Sequence, residues 1–108
     1  MLERDYQAGL IKRLGTRFPG CFILKNDSSY LQGVPDLLVL YQDKWAMLEV
    51  KRKRPTKDSD WEPNQQYRIY ELDCMSFAAC IYPENEQEVM DDLQRAFEPD
   101  WSTREIER

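Results

Sequence analysis

Three ionisable residues, Asp36, Glu49 and Lys51, interrupt two strand-like apolar runs near the middle of the chain. A carboxylate inside a sheet is costly unless it is paired or binds a cation. Two such carboxylates beside a lysine are therefore typical of a metal site with a catalytic base or a charge-stabilising cation. This stretch is the part of the sequence that says most about function.

The two runs, residues 37–41 and 45–50, have the length and composition of β-strands, and three polar residues separate them. This pattern predicts an antiparallel hairpin. Both faces of the two strands are apolar, which is typical of central strands in a sheet that is covered on both sides. We therefore expect the ionisable residues to lie at the end of a rigid central sheet.

The register of the hairpin decides whether the two carboxylates meet. With a two-residue loop formed by Gln42 and Asp43, Asp36 lies directly across from Glu49. A four-residue loop keeps this register, whereas a three-residue loop sends the two carboxylates to opposite faces, because side chains alternate along a strand. Directly facing residues have Cβ atoms about 4.5 to 5.5 Å apart, close enough to share one divalent ion. Lys51, two residues beyond Glu49, shares its face.

The order Pro-Asp at 35–36, a gap, then Glu-Val-Lys at 49–51 resembles the active-site signature of the PD-(D/E)XK nuclease superfamily. The form Gly-Val-Pro-Asp-Leu-Leu at 33–38 is most similar to its VRR-NUC branch, whose members are small phage proteins or nuclease domains of DNA-repair enzymes. An N-terminal helix with a glutamate, here Glu3, and a Pro-x-Gln helix start, here 63–65, also fit that branch. The resemblance extends from about residue 2 to residue 82.

The resemblance implies hydrolysis of DNA phosphodiester bonds with Mg²⁺ or Mn²⁺. Asp36 and Glu49 would ligate the metal, and the Val50 carbonyl would add a third oxygen. Lys51 would orient the attacking water or stabilise developing charge. Independently of the family, hard divalent cations prefer carboxylate, carbonyl and water oxygens.

Two further site residues follow from the resemblance, Glu3 as an additional acidic metal ligand and Gln65 as a polar catalytic residue that positions others. Each has a simpler interpretation. An acidic residue in a first helical turn is favoured by the helix dipole alone, and a glutamine is an ordinary residue at a helix start. The sequence leaves both interpretations open.

Charge is unevenly distributed along the chain. Residues 1–57 hold 11 Lys and Arg against 6 Asp and Glu, a net of +5, whereas residues 58–108 hold 4 against 14, a net of −10. A dense basic run follows the candidate site, where cations can hold phosphates, although short charged runs also occur as solvated loops. The predicted DNA-binding residues, in this run and in the polar loop before the hairpin, are Lys25, Ser28, Tyr30, Arg52, Lys53, Arg54 and Lys57.

Several residue types are missing or few. The chain has no histidine, which excludes histidine-metal nucleases, Ser-His and Cys-His catalysis and ordinary zinc hydrolase sites. Its three cysteines lack metal-ligand spacing, and no signal peptide or membrane span is visible. We therefore expect a cytoplasmic protein, and the resemblance suggests a phage-infected or prophage-bearing bacterial host.

The periodicity of the whole chain predicts an α/β fold, and the resemblance implies a restriction-endonuclease-like core. In this core a central mixed sheet of about four strands is flanked by helices in the order α-β-β-β-α-β-α. With 108 residues, the chain has room for one domain, predicted at 1–97, followed by a charged tail at 98–108.

The sequence thus predicts a metal-dependent DNA endonuclease, and the resemblance suggests branched or structured DNA, as for a junction resolvase. A symmetric cut at a four-way junction needs two sites related by a two-fold axis, hence a homodimer. A nicking or restriction-like nuclease on plain duplex stays open. So do an inactive nuclease-fold module that docks a DNA replication or repair partner through the acidic half, and a DNA mimic.

Overall fold

A four-stranded mixed β-sheet lies at the centre of the protein, whose computed structural model describes residues 1–99. The strands lie side by side in chain order, the first three antiparallel and the last parallel to its neighbour. The elements are α1 (Glu3–Arg17), β1 (Phe22–Lys25), β2 (Leu37–Tyr41), β3 (Lys44–Val50), α2 (Gln65–Met75), β4 (Phe77–Ile81) and α3 (Glu86–Phe97), with 3₁₀ turns at Asp58–Asp60 and Pro83–Asn85. The predicted order of helices and strands is confirmed.

The hairpin of β2 and β3 has the predicted two-residue loop. Tyr41 pairs with Lys44, and Leu37 pairs with Leu48. Gln42, the first loop residue, has a φ of 57°, in the left-handed region that tight two-residue hairpin turns use at this position. One step beyond the Leu37 pair, the same register brings Asp36 opposite Glu49.

One face of the sheet carries the hydrophobic core. Alternate residues of β2 and β3 point into it and are buried, as their spacing predicts. Helix α1 buries Tyr6, Leu10 and Leu14 at four-residue spacing, and α3 covers the core with a stripe that ends at Phe97. The core residues from these elements are Tyr6, Leu10, Leu14, Phe18, Leu37, Val39, Tyr41, Ala46, Leu48, Val50, Ile81, Val89, Met90, Leu93 and Phe97.

A polar cluster joins the two helices on the core face. Glu86, the first residue of α3, accepts a hydrogen bond from the Tyr6 hydroxyl at 2.8 Å and two from the Arg13 guanidinium, at 2.7 and 2.8 Å. We call Tyr6, Arg13 and Glu86 the Glu86 clamp. A second ion pair, Arg17 with Asp91 at 2.6 Å, lies further along the same helix pair.

The opposite face, which we call the site face, carries Asp36, Leu38 and Leu40 of β2 and Trp45, Met47 and Glu49 of β3. Helix α2 packs there because parallel neighbours such as β3 and β4 need a crossover connection. That single helix contacts β3 and β4 and leaves the β1 and β2 half open, with exposed apolar side chains. The prediction that both central strands are covered on both faces is therefore wrong for this half of the site face.

Of the predicted tail, residues 100–108 lie outside the described residues. Within residues 1–99, no helix combines the length and the apolar character that crossing a membrane requires.

Candidate active site

The candidate site lies at the end of the sheet where β2 begins and β3 ends. Asp36 immediately precedes β2, and its Oδ2 accepts a hydrogen bond from the Val50 amide at 2.9 Å. Since Val50 directly follows Glu49, this bond across the hairpin holds the two carboxylates side by side. The structure therefore brings together the central pair that the sequence predicts.

The backbone around Asp36 is fixed from two sides. The Asn26 amide donates to the Asp36 carbonyl, and the Asn26 side chain donates to the Pro35 carbonyl, both at 2.8 Å. Gly33 has a φ of 83°, and a Cβ there would lie 3.1 Å from the Asn64 carbonyl carbon at the start of α2. Only glycine fits this close approach without strain. Asn26 was not predicted, and its only signal is a short polar residue at the end of a strand.

Glu49 is a buried carboxylate, 3 % exposed. Burial, and then the neighbouring Asp36 charge, raises its pKa to about 8, while burial also raises the pKa of Asp36. Glu49 Oε2 lies 3.3 Å from the Lys51 ammonium, but Oε1 has no hydrogen-bond partner within residues 1–99. A buried acceptor without a partner is costly and calls for a ligand or a functional explanation.

Lys51 is held by three groups. Besides Glu49, its ammonium donates to Gln65 Oε1 at 3.4 Å and lies 5.4 Å from the centre of the Trp61 ring. Gln65 is buried and also accepts from the Glu62 amide at 3.3 Å. The structure therefore places Gln65 next to Lys51, and its catalytic role stays a prediction.

Trp61 also contacts Lys51, a contact that the sequence pattern does not predict. Its ring faces the Lys51 ammonium, an arrangement in which an aromatic face attracts a cation. The one signal in the sequence is its place just before the Pro-x-Gln element at 63–65.

Glu3 lies near the pair without joining it. It lines a cavity of about 260 Å³ together with Asp60, Pro55 and the basic residues 51–54. Its charge contributes to the raised pKa of Glu49, after larger effects. Among residues 1–99, however, no three His, Cys, Asp or Glu side chains lie close enough together to hold a metal ion. The role of Glu3 as a metal ligand that acts through water stays a prediction.

The residues at the site nevertheless fit a hard divalent cation. Two adjacent carboxylates, one with a free buried oxygen, suit Mg²⁺, which uses one or two carboxylates and keeps several waters. A cation between Asp36 and Glu49 would also relieve the repulsion that raises the pKa of Glu49. The predicted Val50 carbonyl lies in the backbone between Glu49 and Lys51.

The predicted DNA-binding residues are all exposed, and they flank the site on two sides. Lys25, Ser28 and Tyr30 lie on the β1 side, at the end of β1 and in the loop that leads to Asp36. Arg52, Lys53 and Arg54 follow β3 and line the cavity next to Lys51, and Lys57 lies in the same loop. Cations thus border the carboxylate pair on the β3 side, whereas Lys25 pairs with Leu37 and lies on the core face of the sheet.

Comparison with known proteins finds no matching family model, no matching curated protein and no matching solved structure. The site is therefore interpreted from its own residues.

Proposed function

We propose that this protein is a Mg²⁺- or Mn²⁺-dependent DNA endonuclease with a PD-(D/E)XK site of the VRR-NUC type. The observation that carries the proposal is the pairing of half-buried Asp36 with buried Glu49, beside a lysine that three groups hold in place. One oxygen of Glu49 has no hydrogen-bond partner among residues 1–99. Such a cluster weakens a fold that does not use it, because buried charges need compensation.

In this proposal Asp36 and Glu49 hold the metal through their carboxylate oxygens. A bound divalent ion lowers the pKa of its water and neutralises charge on the phosphate. Lys51 contacts only Oε2 of Glu49, so Oε1 is left for the ion. The Lys51 ammonium then orients the attacking water or stabilises the charge that develops on the phosphate oxygens.

Gln65 and Trp61 are positioning residues in this scheme. The Gln65 amide oxygen accepts from Lys51, and the Trp61 ring faces the same ammonium from a different direction. Together they restrict where the lysine charge lies. Orientation matters because a misplaced charge loses most of its effect on the transition state.

The fold supports the proposal at a general level. The α-β-β-β-α-β-α order and the mixed sheet with a central hairpin agree with the restriction-endonuclease-like core that the resemblance implies. We further propose that the substrate is branched or otherwise structured DNA, and that symmetric cutting of a four-way junction requires a homodimer.

The test is cleavage of labelled four-way junction, splayed-arm and plain duplex DNA with Mg²⁺, Mn²⁺ or EDTA. The wild type is compared with Asp36→Asn, which removes the charge and keeps the shape of the side chain. Asp43→Asn is the matched control, because Asp43 lies in the turn at the other end of the same hairpin. We expect metal-dependent cleavage that Asp36→Asn abolishes and Asp43→Asn leaves intact.

A folded wild type that cuts none of these substrates with either metal would refute the nuclease and favour the binding module. Cleavage that persists in Asp36→Asn would point to a contaminating nuclease or a different site. Thermal unfolding of both variants separates loss of activity from loss of fold.

A further inference from the structure

An apolar surface remains open on the site face beside the carboxylate pair. Phe22 is 70 % exposed, Leu24 50 % and Leu40 36 %. Phe22 pairs with Leu40, and Leu24 pairs with Leu38, so the four side chains form two adjacent rows across β1 and β2. We call Phe22, Leu24, Leu38 and Leu40 the apolar platform. Contiguous exposed apolar surface of this kind marks interaction sites.

The platform is continuous with the candidate site. Asp36, Leu38 and Leu40 follow one another on the same face of β2, since side chains alternate along a strand. The row of Phe22 and Leu40 lies four residues from Asp36, about 14 Å at the rise of a β-strand. A polymer bound at the carboxylate pair and running along β2 would therefore cross the platform within a few monomer units.

Cations lie beyond the carboxylate pair, after the end of β3. Arg52, Lys53 and Arg54 are exposed and line the cavity on the far side of the pair. Lys25 pairs with Leu37 and therefore lies on the core face of the sheet, not on the platform. The path along β2 thus leads from apolar rows to positive charge, the combination that proteins use to bind single strands through base stacking and phosphate contacts.

Double-stranded DNA does not match this surface. A duplex keeps its bases stacked inside and presents phosphates, which gain nothing from contact with Phe22 or the leucines. Unpaired bases expose apolar faces and remain joined to phosphates that the basic residues 52–54 can pair with. A protein partner on the platform would instead sit against Asp36 and narrow the approach to the site.

We propose that the platform binds unpaired nucleobases of the strand that is cut, with Phe22 as the stacking residue. This inference rests on the proposed nuclease function and specifies its substrate: DNA that is single-stranded for a few nucleotides on the β1 side of the scissile phosphate. The bases stack along β2, and the strand then passes the carboxylate pair toward the basic cavity.

The test measures binding in EDTA, where no metal-dependent cleavage occurs. Fluorescence anisotropy gives the affinity of wild type and Phe22→Ser for a labelled 12-residue oligo(dT) and for a blunt duplex of equal length. Tyr70→Ser is the matched control, because Tyr70 is an aromatic residue, 61 % exposed, on the outer face of α2. We expect Phe22→Ser to weaken oligo(dT) binding about tenfold, the size of one lost stack. Duplex binding should change less than twofold in either variant.

Phe22→Trp and sedimentation complete the test. Phe22→Trp should retain or strengthen oligo(dT) binding because it keeps the stacking surface. The platform proposal would be overturned if Phe22→Ser lost affinity equally for single strand and duplex, or lost no affinity for oligo(dT). A dimer that Phe22→Ser converts to monomer, with DNA affinity unchanged, would assign this face to a second copy instead.

The two proposals fail separately. Binding in EDTA does not depend on catalysis. An inactive protein that binds oligo(dT) through Phe22 would therefore support the proposed platform and refute the proposed nuclease activity. A protein that cuts duplex as well as single-stranded DNA, with cleavage and binding unchanged in Phe22→Ser, would support the nuclease and refute the platform.

Discussion

Two glutamates, Glu49 at the sheet end and Glu86 between α1 and α3, are each paired with a cation and yet differ in environment. Glu86 accepts three hydrogen bonds from the other two members of its clamp, one from Tyr6 and two from Arg13. Burial alone would raise its pKa, but the hydrogen bonds from Arg13 and Tyr6 outweigh it, and the pKa lies below its ordinary value. Glu49 has one oxygen near Lys51 and one without a hydrogen-bond partner among residues 1–99, and its pKa is raised to about 8.

This difference is the one expected between a carboxylate that stabilises the fold and one that binds a ligand. A carboxylate whose hydrogen bonds are complete stabilises the fold that provides them. A buried carboxylate whose bonds are incomplete destabilises the fold until something binds. An ion pair does not distinguish the two glutamates, because both have one. They differ in whether both carboxylate oxygens accept hydrogen bonds.

The sharpest test makes the same substitution at both glutamates. Glu49→Gln should lower the rate of Mg²⁺-dependent cleavage roughly a thousandfold or more, about 4 kcal/mol in the barrier, because it removes a charged ligand. Glu86→Gln should leave the rate within about threefold, since the clamp does not touch the reacting atoms. Initial rates at saturating Mg²⁺ measure both. Similar losses in the two variants would contradict the comparison.

The pH dependence of stability should follow Glu49 in the metal-free protein. Its folded pKa of about 8 lies above the ordinary 4.5, so its stabilising effect is full below pH 4.5 and is lost as pH rises through 8. Between pH 5 and 9 we expect the free energy of unfolding to fall by an amount on the order of a few kcal/mol. Urea unfolding in EDTA measures it.

Glu49→Gln should flatten that decline, and Mg²⁺ should stabilise the wild type at pH 8 but not this variant. An equally steep decline in Glu49→Gln would mean that another group causes it.

At the Glu86 clamp, we expect the free energy of unfolding to have the opposite pH dependence. Glu86→Gln should lower the free energy of unfolding at pH 7 by about 1 to 2 kcal/mol, a modest loss because Arg13 is half exposed. Since the pKa of Glu86 is lowered, its contribution is present at neutral pH and disappears as pH falls below its ordinary value. Urea unfolding at pH 7 and pH 3 should show the difference between wild type and variant shrinking in acid.

Trp61 tests whether the orientation of Lys51 matters. Trp61→Leu should lower kcat about tenfold and leave KM unchanged, because the ring acts on the lysine and not on DNA binding. Trp61→Phe keeps an aromatic face and should retain most of the rate. If Trp61 had only a structural role, Trp61→Leu and Trp61→Phe would show the same kcat once both are folded.

The smallest effect is expected at Glu3. Glu3→Gln should change the rate at saturating Mg²⁺ by no more than about threefold, since Glu3 lies outside the carboxylate pair and a ligand that acts only through water contributes less than a direct one. A Mg²⁺ titration of the cleavage rate measures it. A loss of more than about a hundredfold would make Glu3 a direct ligand.

Much of the site was predictable because it lies within one hairpin. Alternation along a strand and a two-residue loop are enough to place Asp36 opposite Glu49, with Lys51 on the same face. The helices were predictable for the same local reason, since α1 buries residues at four-residue spacing. What local rules did not provide is the position of Glu3 relative to the pair, because that depends on how α1 packs.

By itself, the sequence determined the order of the elements, the hairpin register and the chemistry of the carboxylate pair, since each depends on neighbours in the chain or across one turn. Only the tertiary structure decided which hydrogen bonds and ion pairs each charged side chain makes. The Glu86 clamp joins residues 73 to 80 positions apart, and the ring of Trp61 meets Lys51 across a loop. The open platform likewise depends on one helix covering only half of a face. Such contacts arise from packing between distant segments, which no local periodicity encodes.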